Sequence, residues 1–351
     1  MLQGLRRGCD ERTNLMLSWA GVILAGLLNG SFAVPLKTAR TWKFNHIWTL
    51  HSLVAMGVVP WIVVVAAVPH WVEVVTRIDS RGWLFLIGWG LLFGIASLLY
   101  GVAVDLLGIA LGFAIQLGLS IVLGALLPML WAGAFRLQSS LDWLFVLGLA
   151  LMVLGVILCA QAGGRKQSSG DSGDDSKPIR FRWGLIIALI GGVLAPTLNF
   201  GIQYGTDLLK QGGELLGARR FPVEIYLAWA VFLSSAAVMQ AAYCFSRVVR
   251  DHSLGTFRQG IASRDAPQVL AMSLVWISSV FIYGRSAFGL GRLGNSFGWP
   301  IFVALIILTS NAWGVLLGEW KGAKPREFYR MLAGSGVLIV AAFLIGQSRR
   351  G

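Results

Sequence analysis

The chain has 351 residues, 56% of them hydrophobic and only 13% charged, with a mean hydropathy of +0.72. Soluble domains carry roughly a quarter charged residues, so a water-soluble globular fold is excluded. The formal net charge of +13, from 29 Lys and Arg against 16 Asp and Glu, sits in short clusters between long apolar runs. Loops of a membrane protein carry charge in this way, whereas a nucleic-acid-binding surface gathers it on one face.

A helix needs about 20 apolar residues to cross a bilayer core, and ten runs reach or approach that length. In chain order they cover residues 15–35, 46–68, 83–104, 106–131, 143–162, 183–204, 223–245, 268–288, 295–318 and 331–346. The first follows Arg6, Arg7 and Arg12, yet its apolar core is too long for a secretory signal, so it reads as a retained helix after a 1–14 tail. Trp42, Trp71, Trp83, Trp131, Trp143, Trp183 and Trp320 lie at run ends, where an amphipathic ring favours the membrane interface. The pairs Gly26/Gly30, Gly90/Gly94, Gly108/Gly112 and Gly314/Gly318 have the spacing that lets helix backbones approach closely. Residues 163–182 (GGRKQSSGDSGDDSKPIRFR) form the one low-complexity stretch, and a mobile polar linker is expected there.

On either side of that linker the sequence echoes itself. Gly21, Leu24, Ala25, Leu28 and Asn29 match Gly191, Leu194, Ala195, Leu198 and Asn199 at one constant offset. Tyr100-Gly101 and Leu107-Gly108 match Tyr283-Gly284 and Leu290-Gly291 with the same internal spacing. Residues 15–162 and 183–347 therefore read as two related halves of five helices each. A tandem copy of an odd number of spans enters the membrane inverted. The predicted fold is all-α integral membrane, with ten transmembrane helices as two inverted five-helix repeats, an organisation typical of alternating-access secondary transporters.

The available chemistry narrows the function. Cys9, Cys159 and Cys244 are far apart without ligand spacing, and no GxxxxGK[ST], HExxH or GxSxG occurs, so no metal, cofactor, ATP-driven step or enzymatic activity is expected. Of His46, His51, His70 and His252, only His51 falls within a span. Gly192, Pro196, Asn199 and Gln203 recur at helical spacing and share one face of the sixth run. Polar groups inside a membrane are costly and so informative. Asn29, Gln116, Asn199, Gln203 and Asn311 are the candidate donors and acceptors for a neutral polyhydroxylated ligand, with Tyr100, Trp276 and Tyr283 as stacking faces. Arg285 is the one basic residue near a span interior. For every such residue the alternative role is an interhelical hydrogen bond. No Asp or Glu lies at mid-span, and Asp105 and Glu319 are the nearest candidates to carry a coupled proton.

The order VPLK (34–37), VPW (59–61), GIASLLYG (94–101), LGIALGFAIQLGLSIVLGALLP (107–128), YGRSA (283–287) and LGEW (317–320) resembles the L-rhamnose–proton symporter family of the drug/metabolite transporter superfamily, over essentially the whole chain. The 107–128 block is its most specific piece. The resemblance implies proton-coupled uptake of a deoxy sugar such as L-rhamnose across the bacterial inner membrane. The partners are then a small sugar or metabolite, the proton and the lipid bilayer, with no nucleic acid. The chain departs from the family's pattern at Ser97 and Leu99, where the family carries Asn, and at Asn295 and Phe302, where it carries an acid and a His. Two other readings stay open: a metabolite exporter of the same superfamily, and a non-transporting membrane scaffold or sensor.

Overall fold

The computed structural model describes residues 2–68, 71–131, 133, 137–167, 177–215, 224–291 and 294–348. Among them all regular structure is helical. Helix α1 (Leu2–Ser31) leads through a 3-10 turn (Val34–Thr38) to α2 (Phe44–His51), which passes through a π-helical segment (Ser52–Val58) into α3 (Val59–Ala67). There follow α4 (Trp71–Arg77), α5 (Ser80–Trp131), α6 (Ser140–Gln167), α7 (Lys177–Leu194), α8 (Thr197–Leu215) and α9 (Glu224–Arg250). The last elements are α10 (Gly255–Ala262), α11 (Asp265–Gly289), α12 (Gly294–Leu316) and α13 (Pro325–Ser348).

Nine helical stretches among the described residues are long and apolar enough to cross a membrane: Thr13–Lys37, Phe44–Ala67, Ser80–Ala103, Ser140–Gly163, Phe181–Leu209, Tyr226–Arg250, Asp265–Gly289, Gly294–Leu316 and Pro325–Ser348. A shorter apolar helical segment covers Ala114–Leu130. Large apolar side chains such as Met16, Leu84, Val193, Leu316 and Phe343 stand exposed along these stretches, an arrangement suited to lipid and not to water. The protein is an all-α, multi-pass integral membrane protein.

Two expectations from the sequence change here. Residues 83–104 and 106–131 were expected as separate helices, but helical backbone runs through all 52 residues of α5 without a gap. It does not run straight: a Cβ on Gly191 would meet both Leu99 Cβ and the Gln116 side chain, which a straight helix would hold roughly 25 Å apart. The chain therefore changes direction between the apolar stretches Ser80–Ala103 and Ala114–Leu130. Conversely, the single face expected from Gly192 to Gln203 is divided, because the helix breaks in a turn at Ala195 and Pro196. Pro196 brings no N–H for the carbonyl four residues back. Residues 168–176 of the expected 163–182 linker lie outside the described residues, and its two ends are helical, since α6 runs to Gln167 and α7 begins at Lys177.

The chain forms two compact units that interleave in sequence. The first comprises Met1–Gly30, Leu99–Pro196 and Arg285–Gly351, and the second Ser31–Leu98 and Thr197–Gly284. In the first unit α6 lies along α13, where small residues bring the backbones together: a Cβ on Gly155 would meet Leu338 and the Gly334 carbonyl, and one on Gly334 would meet Cys159. Here too Gly26 and Gly30 of α1 pack on Leu305 and Thr309 of α12, and Gly191 and Gly192 of α7 pack on Gln116 and Leu119 of α5. Helix α6 starts on a reciprocal cap. The Asp142 carboxylate accepts from the backbone N–H of Gln138 at 3.0 Å and Ser139 at 2.9 Å, while Ser139 Oγ accepts from the Asp142 N–H at 3.2 Å. Gly314/Gly318 is not an interhelical packing pair. Gly318 (φ +74°) turns the chain after α12, a left-handed conformation that closes helices and that glycine adopts without strain.

In the second unit Gly90 and Gly94 of α5 pack on Phe232, Ser235, Ala236 and Met239 of α9. Val64, Val68, Val74, Leu209, Leu227, Ala228 and Ala230 form a buried apolar cluster lined by Trp61 and Trp71. The π segment has a local cause. Pro60 lacks an N–H and its ring crowds the carbonyl four residues back, and the widened turn relieves that crowding, with the Val59 N–H reaching the Val54 carbonyl. The connection before α2 is anchored to the start of α11. The buried Asp265 carboxylate accepts from the backbone N–H of Arg40 at 3.2 Å, Thr41 at 2.8 Å and Trp42 at 2.7 Å. Trp42 Nε1 donates to the Thr256 carbonyl at 2.9 Å, which ties the α10 region to the same anchor.

Candidate functional site

The candidate residues divide between the units: Asn29, Tyr100, Gln116, Arg285 and Asn311 belong to the first, and Asn199, Gln203, Trp276 and Tyr283 to the second. In the first unit, Gln116 is buried on α5 against Gly191 of α7, and its Nε2 has no hydrogen-bond partner among the described residues. One turn on, the Ser120 carbonyl accepts from Trp299 Nε1 of α12 at 3.1 Å. Ser296, one turn before Trp299, is buried with its Oγ unpartnered among the described residues. Pro300 also deprives the Ser296 carbonyl of its helical donor. Here α5 and α12 therefore carry polar groups with spare hydrogen-bonding capacity.

Two other candidates in this unit, Asn311 and Asn29, lie at contacts between helices. Asn311 Nδ2 donates to Ser335 Oγ at 3.2 Å and lies 3.4 Å from Cys159 Sγ, joining α12 to α13 and α6. Asn29 is buried one residue before Gly30, whose carbonyl accepts from Ser310 Oγ at 3.1 Å. Arg285 is exposed, and Glu319 is exposed in the turn after α12. Asp105 and Gln203 have helical backbones, but their side chains lie outside the described residues.

In the second unit Asn199 is 4% exposed near the start of α8, with Nδ2 unpartnered among the described residues. Tyr283 is buried on α11, two turns beyond Trp276 and so on the same face. Trp276 meets the His51 ring edge-on, with centroids 5.5 Å apart at 79°. His51 Nδ1 is 3.1 Å from Ser273 Oγ. Beside it, Ser52 Oγ lies 2.9 Å from Gln240 Oε1, and Gln240 Nε2 donates to Ser97 Oγ at 2.8 Å. Polar groups of α2, the π segment, α5, α9 and α11 thus meet within this unit.

Gln240, Ser273 and the pairing of Ser97 escaped sequence reading. Each is a lone polar residue in an apolar helix, and only the packing of several helices brings them together. His51 was the available signal, as the histidine read from sequence as lying within a span. Among the described residues no group of His, Cys, Asp and Glu is arranged to hold a metal ion.

A family model described as L-rhamnose-proton symport protein (RhaT) matches residues 14–349. Among curated relatives, the L-rhamnose-proton symporter of Cronobacter sakazakii is 24% identical over 328 residues, covering 90% of this chain and 92% of that protein. That of Escherichia coli (strain K12 / DH10B) is 23% identical over 326 residues with the same coverage. That of Yersinia pestis is 21% identical over 324 residues, again covering 90% and 92%.

Proposed function

Because the chain belongs to the L-rhamnose-proton symport protein family, we propose that it is a secondary active transporter of a small neutral sugar such as L-rhamnose, coupled to protons and working by alternating access in a bacterial inner membrane. The observation that carries this reading is the family match from residue 14 to 349, which takes in every candidate span nearly entire. The chemistry of the buried polar groups supports it. Gln116 Nε2 and Asn199 Nδ2 are neutral donors inside apolar helices, suited to hydroxyl oxygens and not to a charged solute.

The fold we propose has ten spans in two inverted five-helix repeats, with Ala114–Leu130 as the fourth span. Helix pairing supports it. Counting that segment, the first span packs on the ninth and the sixth on the fourth, through Gly26/Gly30 and Gly191/Gly192. The third packs on the seventh through Gly90/Gly94, and the eighth meets the second at Ser273 and His51. The fifth lies along the tenth at Gly155 and Gly334. Advancing every number by five turns this set of pairs into itself, as a duplicated five-helix unit requires. Inverted repeats of this kind hold substrate near the membrane midplane.

Uptake of labelled sugars into reconstituted vesicles, with and without an imposed proton gradient, tests the function. Accumulation of L-rhamnose that collapses with the gradient is the expected result; uptake indifferent to the gradient rejects symport. Asn199→Ala is expected to lower uptake by about tenfold, the scale of one buried hydrogen bond, with normal insertion. Wild-type rates in that variant reject Asn199 as a substrate contact.

A further inference from the structure

We propose that His51 is a sugar-binding residue, its Nε2 accepting a hydrogen bond from a ligand hydroxyl while the ring of Trp276 or Trp48 covers the ligand's apolar face; this rests on the reading of the chain as a sugar carrier. His51 is 3% exposed and closes α2 within the candidate span Phe44–Ala67. Its tautomer follows from its neighbour. The Ser273 hydroxyl has one proton, and donates it to the Val269 carbonyl at 2.7 Å. Toward His51, 3.1 Å away, Ser273 Oγ can therefore only accept. The neutral imidazole then carries its proton on Nδ1, and the lone pair is left on Nε2.

That lone pair has no hydrogen-bond partner among the described residues. In a side chain only 3% exposed that acceptor has little access to water, and a ligand hydroxyl satisfies it. Aromatic rings surround the imidazole: Trp276 at 5.5 Å between centroids, Trp48 at 5.6 Å and Phe32 at 6.3 Å. A deoxy sugar pairs hydroxyls with an apolar face, the combination that a lone pair beside indole rings recognises.

Two conservative variants separate binding from mere support. A glutamine at 51 places its terminal amide near the position of Nε2, whereas an asparagine places its amide near Nδ1 and keeps the link to Ser273. L-Rhamnose binding to the purified carrier in lipid nanodiscs, followed by equilibrium dialysis, is expected to weaken about tenfold in His51→Asn and to stay within about threefold of wild type in His51→Gln. The reverse order overturns the proposal and assigns His51 to holding Ser273. Wild-type protein that binds no L-rhamnose overturns the carrier reading and this site together, whereas wild-type affinity retained in His51→Asn overturns this site alone. Imidazole nitrogen NMR, with His51→Asn to assign the signal, reads the tautomer without any sugar: a proton on Nδ1 is expected, and one on Nε2 overturns the proposal.

Discussion

Gly88 and Gly90 lie two residues apart on α5 and differ in what surrounds them. A methyl group on Gly90 would run into the Phe232 carbonyl and lie 2.8 Å from Ser235 Cβ, while one on Gly88 would meet nothing within 4 Å. Gly90→Ala is therefore expected to lower stability by about 1–3 kcal/mol through overpacking. Gly88→Ala is expected to be neutral or slightly stabilising, since alanine is the better helix former by about 1 kcal/mol. Thermal unfolding of the detergent-solubilised protein checks this, and equal shifts for the two variants would refute the packing. The 26/30 and 90/94 spacings made these close approaches legible in sequence. The polar residues were less so, because a residue's type does not say whether its neighbours satisfy it. Asn311 and Asn199 look alike in sequence, yet one joins three helices and the other has an Nδ2 without a partner among the described residues. Gln240 and Ser273 show no stripe on their own helices, and their meaning comes from Ser52 and His51 on another element.

Among the elements, the anchor at the start of α11 offers the sharpest test. Asp265→Ala removes an acceptor shared by the N–H groups of Arg40, Thr41 and Trp42. Bonds to a charged acceptor contribute about 1.5–3 kcal/mol each, and some of the lost energy returns as water reaches the exposed ones. A net loss of about 2–4 kcal/mol is expected. Trypsin provides a local readout, since Lys37, Arg40 and Lys43 flank the anchored stretch: cleavage there should accelerate in Asp265→Ala before global unfolding. Unchanged cleavage would mean that the stretch is held by other contacts. The helical runs themselves were legible from hydropathy, because length and apolarity suffice to specify a span. Their ends were not. Apolarity cannot tell whether α5 turns near Asp105 or continues, and a helical repeat pattern written across Pro196 ignores the missing N–H that divides α7 from α8.

For the molecule as a whole, each compact unit draws segments from both halves of the sequence, so fold units cannot be read from chain order. The family and the membrane class were legible across the full length; the partition was not, because it depends on which helices share small faces. The ten-span fold proposed above makes a definite topological statement. Glu73 precedes the third span and Gln138 follows the fourth, and both are exposed. Single cysteines placed there, in a chain whose Cys9, Cys159 and Cys244 are replaced by serine, should react with an impermeant maleimide from the same side of the membrane. Labelling from opposite sides would mean that Ala114–Leu130 does not cross. The Asp265 anchor also bears on how the protein is made. Its partners stand 223 to 225 residues upstream, so during synthesis the connection between α1 and α2 waits for most of the chain to leave the ribosome. Until the eighth span arrives, the amides of Arg40, Thr41 and Trp42 have only water or lipid headgroups to bond. The second unit therefore closes late, and a nascent chain stalled before Asp265 carries early helices without their clasp, the state that insertion chaperones and membrane proteases would meet.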